Sequence, residues 1–217
     1  MRQERIVFMG TPEISKVYLQ SLIDHQYNII ATYTQPPRKQ GRGMLMQKSP
    51  VHALSLEHNI PVYHPKNFAS LESIKELKKL NPDLVVVMGY GLLLPKSILQ
   101  TPLHGCINIH VSLLPRWRGA APIEHAILNG DEKTGVSIFL LEEKLDAGPI
   151  IATQEININK NINKEDLTSE LNILGTVLLT NTLPDLLDNK ISVQKQDETN
   201  ATYAKKITTE LRKINFN

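Results

Sequence analysis

The feature that most constrains this 217-residue chain is a series of short apolar runs separated by helix-like segments. Ile6 to Met9, Asn28 to Thr34, Leu84 to Met88 and Gly105 to Val111 are rich in Ile and Val on consecutive positions. A strand with one face in a core alternates apolar and polar residues. A continuous run instead suits a strand covered on both faces, as in a parallel sheet between helices. Helical segments fall between the runs, at about Pro12 to His25, Pro50 to Asn59, Ser70 to Leu80 and Pro122 to Asn129. Thr11-Pro12-Glu13 reads as a helix start, with Thr as the cap, Pro in the first turn and an acid at the positive end of the dipole. The rhythm predicts an α/β fold: a doubly wound, mostly parallel sheet with helices on both faces, whose ligands bind at the carboxyl ends of the strands.

After His110 the pattern changes. Val136 to Leu141 and Pro149 to Ile156 read as two strands joined by a loop that holds Asp146. A long helix follows, about Asn163 to Asp188, with Leu167, Leu171, Leu174 and Leu178 at three- and four-residue spacing. Residues 189–217 are polar, with a short strand expected at Ile191-Ser192-Val193 and a cationic tail from Lys205-Lys206 to Arg212-Lys213. The length suits one large α/β domain with a short appendage.

Charge and cysteine content narrow the class further. A net charge of +2 means that a polyanionic partner must be met by a local patch. The single cysteine, Cys106, excludes an internal disulfide and fits a reducing compartment. It sits inside an apolar run, so a buried thiol is expected rather than a nucleophile. No apolar run approaches the roughly 18 residues of a membrane span. Met1-Arg2-Gln3-Glu4-Arg5 leads directly into the first strand, so no leader and no membrane contact are expected, and the cytoplasm is the expected location.

The run Asn108-Ile109-His110-Val111-Ser112-Leu113-Leu114-Pro115 carries the chemistry. Strand side chains alternate with period 2, so Asn108 and His110 turn to the same side, and Pro115 cannot extend a sheet ladder. An amide aimed at an acyl oxygen stabilises the charge that develops there, an effect of about 3 kcal/mol. His110 relays protons at neutral pH, and Asp146, in Leu145-Asp146-Ala147-Gly148, orients that imidazole. Singly, each residue has a plainer role as turn cap, hydrogen-bonded core histidine or loop acid. Together, and flanked by glycines, they favour acyl-transfer chemistry.

Three loops accompany them. Ser112 to Pro122 forms a rigid apolar turn suited to gripping a flat heterocycle, and Met88-Gly89-Tyr90-Gly91 exposes backbone groups for hydrogen bonds. Both also read simply as strand-to-helix punctuation. Pro36 to Lys48 is a third loop, carrying Arg38, Lys39, Arg42 and Lys48 without an acid, and it suits phosphate contacts as well as plain solvation. Phe8-Met9-Gly10-Thr11-Pro12 lacks the Gly-x-Gly-x-x-Gly dinucleotide fingerprint.

These segments together resemble the methionyl-tRNA formyltransferases. The resemblance rests on Phe8 to Pro12, Gly41-Arg42-Gly43 with Ser49-Pro50-Val51, Asn108 to Pro122, Gly135 to Ile138 and Leu145 to Gly148, and runs from about residue 4 to 215. The Asn-His-Asp set is shared with the wider folate-dependent formyltransferases. The basic insertion and the Arg116-Trp117-Arg118-Gly119-Ala120-Ala121-Pro122 string are more specific to the tRNA enzymes. The resemblance implies 10-formyltetrahydrofolate as formyl donor, initiator methionyl-tRNA as acceptor, a role in translation initiation, and no metal. It implies Asn108, His110 and Asp146 as catalytic residues. It places Ser112, Leu113, Leu114 and Pro115, with Gly89 and Tyr90, against the folate, and Arg38, Arg42 and Lys48 on the tRNA.

A catalytic domain over residues 1–189 is expected, followed by an extension over 190–217 where the family's linker begins, without its C-terminal β-barrel domain. A monomer is expected. Glu142-Glu143-Lys144 is more charged than the resemblance leads one to expect. Two alternatives stay open: formylation of a small amine such as an amino sugar nucleotide, and a folate-binding module without catalysis.

Overall fold

A computed structural model of the chain describes residues 3–40 and 44–208. The first half contains β1 (Ile6–Gly10), α1 (Glu13–Asp24), β2 (Ile29–Tyr33), β3 (Arg38–Gln40), β4 (Leu45–Gln47), α2 (Pro50–Glu57), β5 (Val62–Tyr63), α3 (Leu71–Leu80), β6 (Leu84–Met88), α4 (Lys96–Leu99) and β7 (Cys106–His110). The second half contains β8 (Arg118–Gly119), α5 (Pro122–Leu128), β9 (Lys133–Leu140), β10 (Ile150–Asn157), α6 (Lys164–Leu187) and β11 (Tyr203–Ala204).

Seven strands form the main sheet in the order β10-β9-β7-β6-β1-β2-β5. Every neighbouring pair from β7 to β5 is parallel, whereas β9 runs against both β7 and β10. Strand order reverses between β1 and β6, which opens a crevice at their carboxyl ends. All five residues of β1 and of β6 are buried, as continuous apolar strands between two helical layers must be. One core packs α1, α2 and α6 against the sheet through Tyr18, Leu22, Val51, Leu171 and Leu183. The other packs α3 and α4 through Leu77 and Ile98, with Tyr33, Phe68 and Tyr90. Each fully buried aliphatic side chain contributes about 1.5–3 kcal/mol, so the sheet centre is the firmest part of the molecule. No described helix is long and apolar enough to cross a membrane.

Three expectations are corrected. Thr11 does not cap α1: Pro12 occupies that position, and the Thr11 hydroxyl instead donates to the Tyr90 carbonyl across the crevice. The segment Pro36 to Lys48 is not simply a loop, because Arg38–Gln40 and Leu45–Gln47 pair as an antiparallel hairpin. The strand expected at 191–193 reduces to one bridge between Gln194 and Ile150, and a two-residue strand forms later, at β11. That strand pairs with β8, so the chain beyond α6 returns to the domain.

Candidate active site

β7 turns its residues alternately to the two sides of the sheet. Ile107 and Ile109 join the α1–α6 core, Cys106 joins the opposite one, and Asn108 and His110 share the Cys106 side by the same period. Asn108 is half-buried and lies beside Val87 of β6. Its side-chain amide has no hydrogen-bond partner among the described residues.

His110 is 6% exposed and is held by its far nitrogen, Nε2, which lies 2.7 Å from the Trp117 carbonyl oxygen. A carbonyl only accepts, so Nε2 carries the proton and Nδ1 is left as the basic nitrogen of the neutral ring. Nδ1 lies 3.9 Å from Asp146 Oδ2, beyond hydrogen-bond reach. The same Oδ2 accepts the Gly119 N–H at 2.7 Å. Asp146 and Trp117 both have left-handed backbones, with φ of 47 and 59 degrees. Such conformations cost energy in residues with side chains and persist where surroundings over-determine them. Trp117 holds His110 directly, whereas Asp146 lies beside the ring without a hydrogen bond to it.

The Ser112 to Pro115 turn packs beside this group. Ser112 is fully buried, and its hydroxyl donates to the Arg116 carbonyl at 2.6 Å. The Ser137 hydroxyl donates to the Ser112 carbonyl and accepts the Leu114 N–H, so β9 fixes the turn. Leu114 is buried, while Leu113 and Pro115 are half-buried. Gly89 is exposed with φ of 58 degrees, and Gly91 follows at 79 degrees. Between them Tyr90 turns its ring inward toward Phe68, and burial pushes its hydroxyl pKa up. Arg38 and Lys48 are exposed at the ends of the β3–β4 hairpin. Arg42 lies outside the described residues. Burial pushes the Cys106 thiol up to about 12, which fits a core residue and not a nucleophile.

Two supports of the site escaped the sequence analysis. Asp131 accepts two hydrogen bonds from Arg116, at 2.9 and 2.6 Å, and one from Trp117 Nε1 at 2.7 Å. Although burial opposes it, these bonds hold the Asp131 carboxyl below its usual range. The second support is the segment 196–204. Arg118, fully buried, donates to Gln196 and Glu198, and Lys144 also pairs with Glu198. This pairing accounts for the charge of Glu142-Glu143-Lys144 at Lys144. Arg118 was visible as part of a motif; Gln196 and Glu198 had no signal, because their partners are remote in sequence.

Residues 4–183 match the family described as formyl transferase. The chain belongs to the formyltransferase family. It is 46% identical over 204 residues to the methionyl-tRNA formyltransferase of Ehrlichia ruminantium (strain Welgevonden), an alignment covering 94% of this chain and 67% of that relative. Among solved structures it is similar to the phosphoribosylglycinamide formyltransferase of Anaplasma phagocytophilum, with a TM-score of 0.74 and 22% identity, covering 91% of this chain and 96% of that one. The corresponding enzyme from Bacillus halodurans gives 0.72 and 29%, covering 85% and 95%. The formyltransferase thus has the mostly parallel sheet of these neighbours, with His110 and Asp146 at the carboxyl end of β7. Among the described residues no group of three or more His, Cys, Asp or Glu is placed to hold a metal ion.

Proposed function

We propose that this enzyme transfers the formyl group of 10-formyltetrahydrofolate to the α-amino group of methionyl initiator tRNA, and so serves translation initiation. The observation that carries the acceptor is the 46% identity, across 94% of the chain, to an enzyme named for that reaction. The likeness to the phosphoribosylglycinamide enzymes is much weaker, at 22% and 29%. The exposed hairpin supports the same acceptor. Arg38, Lys39 and Lys48 pair with no acid among the described residues, which leaves them for phosphates. Arg42 belongs with them in this reading.

The residues present fit a folate-borne formyl group. Among the described residues Asn108 keeps a free amide, and the Gly89-Tyr90-Gly91 turn, whose Tyr90 carbonyl is taken by Thr11 and Gln35, follows the neighbouring strand β6. Leu113, Leu114 and Pro115 form an apolar wall for the folate, while Ser112, its hydroxyl already used, shapes the turn behind them. The donor supplies the carbon to be attacked and the amine that departs. Asn108 donates to the formyl oxygen as negative charge gathers there, a contribution of about 2.7–4 kcal/mol. His110 Nδ1 accepts the proton that the attacking α-amine sheds, beside the Asp146 carboxylate, and returns it to the donor nitrogen as the C–N bond to tetrahydrofolate breaks. The Trp117 carbonyl keeps the ring from turning away. In this reading residues 1–189 carry the chemistry.

The test is a direct assay with formyl-labelled donor and three acceptors: charged initiator tRNA, an amino sugar nucleotide and glycinamide ribonucleotide. Label on methionyl-tRNA alone is expected. Label on a small amine alone would overturn the acceptor assignment. His110→Ala should fold and melt normally yet lose about 100- to 10,000-fold in turnover. Unchanged turnover would remove the catalytic role, and a chain that no longer folds would make His110 structural.

A further inference from the structure

Asp146 holds a left-handed backbone, uncommon for a residue with a side chain, and its main-chain carbonyl is held from outside the family segment. From the geometry of residues 194–204 we infer that Gln196 is a positioning residue for Asp146. The inference rests on the formyl-transfer reading above. The family match ends at residue 183, and beyond it the chain crosses back over the 116–121 loop and the 146–148 turn.

Gln196 uses both halves of its amide. Nε2 donates to the Asp146 carbonyl at 2.9 Å and to the Gly148 carbonyl at 2.7 Å. Oε1 accepts from Arg118 Nε at 3.1 Å and Nη2 at 2.7 Å. Two donors meet acceptors and the oxygen meets donors, so a flipped amide would oppose like groups on both sides. Arg118 is fully buried and has its remaining nitrogen on Glu198, which also takes Lys144 from the loop that leads to Asp146.

The same segment governs the side chain of Asp146 as well as its backbone. β11 lies parallel to β8: the Arg118 N–H donates to the Thr202 carbonyl at 2.9 Å, and the Ala120 N–H to the Ala204 carbonyl at 2.9 Å. Gly119 sits between these two bonds, and its N–H is the donor that fixes Asp146 Oδ2. A Cβ at Gly119 would come within 2.8 Å of the Ala204 carbonyl oxygen, so this approach needs glycine. Gln196 therefore pins the main chain of Asp146 while β11 aligns the donor to its carboxylate. Gln196 itself touches no reacting atom.

The test uses the full chain with Gln196→Met, which keeps bulk and loses both donors, and Gln196→Glu, which keeps the acceptor for Arg118 but turns a carboxylate toward two carbonyls. Each is made alone and with Asp146→Asn. Both single variants are expected to lower kcat about tenfold with the KM for the formyl donor unchanged, and to cost nothing further when Asp146 is already Asn, because groups acting through one another are non-additive. Hydrogen exchange at the Gly119 amide is expected to speed up about tenfold in both, whatever the acceptor proves to be. Full kcat in Gln196→Glu, additive losses, unchanged Gly119 exchange, or global unfolding of both variants would each overturn the inference. If the parent enzyme does not formylate charged tRNA, the proposed function fails on its own, and the exchange measurement still decides the positioning.

Discussion

Asn108 keeps its amide without a partner among the described residues, whereas His110 and Asp146 are each tied by one end to the Trp117–Gly119 backbone. In the proposed reaction a donor for the formyl oxygen would stay free until the substrate arrives, and an acid-base pair would be held still. Asn108→Ala is therefore expected to lower kcat about 100- to 1,000-fold with small effect on donor binding, measured as a kcat and KM split at saturating tRNA. Asn108 and His110 stood out in the sequence as two polar residues two apart in an apolar strand. Asp146 was legible less through its own surroundings than through the company of those two. Gln196 was not legible at all: it recognises two main-chain carbonyls, which every residue has, some fifty positions earlier in the chain. Thr11 misled because Thr before Pro-Glu is a good capping pattern, yet the crevice offered its hydroxyl the Tyr90 carbonyl instead.

At the level of elements, the buried strands and long helices could be read to within one or two residues, since each is a run long enough for periodicity to speak; the exception is β9, which starts at Lys133, three residues before the expected Val136. β6 falls on Leu84–Met88 and α6 on Lys164–Leu187, close to expectation. The two-residue strands β5, β8 and β11 were invisible, because pairs so short are chosen by their neighbours and not by their own composition. The β3–β4 hairpin was hidden by its polarity, and it now presents Arg38 and Lys48 at its two ends. Replacing either with Ala should weaken tRNA binding and reduce the salt dependence by about one phosphate contact, with the donor KM unchanged, as read from binding at several salt concentrations. A second element-level feature is the close approach of α1 to α6. A Cβ on Gly175 would overlap the buried Tyr18 hydroxyl. Gly175→Ala should thus destabilise by about 1–3 kcal/mol in urea unfolding although alanine favours helix, and adding Tyr18→Phe should recover part of the loss.

Across the whole molecule, the sheet supplies rigidity and the returning C-terminal segment supplies the clasp. The Arg118 guanidinium, aided by Lys144, holds the Glu198 carboxyl down to about 2 from an ordinary 4.5. A folded-state value below the unfolded one means that the clasp's contribution is complete above about 4.5 and is lost as pH falls toward about 2. The parent should accordingly be more stable than Glu198→Gln at neutral pH, and the gap measured by urea unfolding should close on acidification. Glu198 is half-exposed, so salt will narrow the same gap. Trp117 has a use beyond architecture. It is the chain's only tryptophan, it is nearly buried, the Arg116 guanidinium sits 4.4 Å from its ring centre, and its indole N–H is on Asp131. The enzyme therefore carries a built-in fluorophore on the very loop that grips His110, and its emission can follow that loop's movements in solution without any added label.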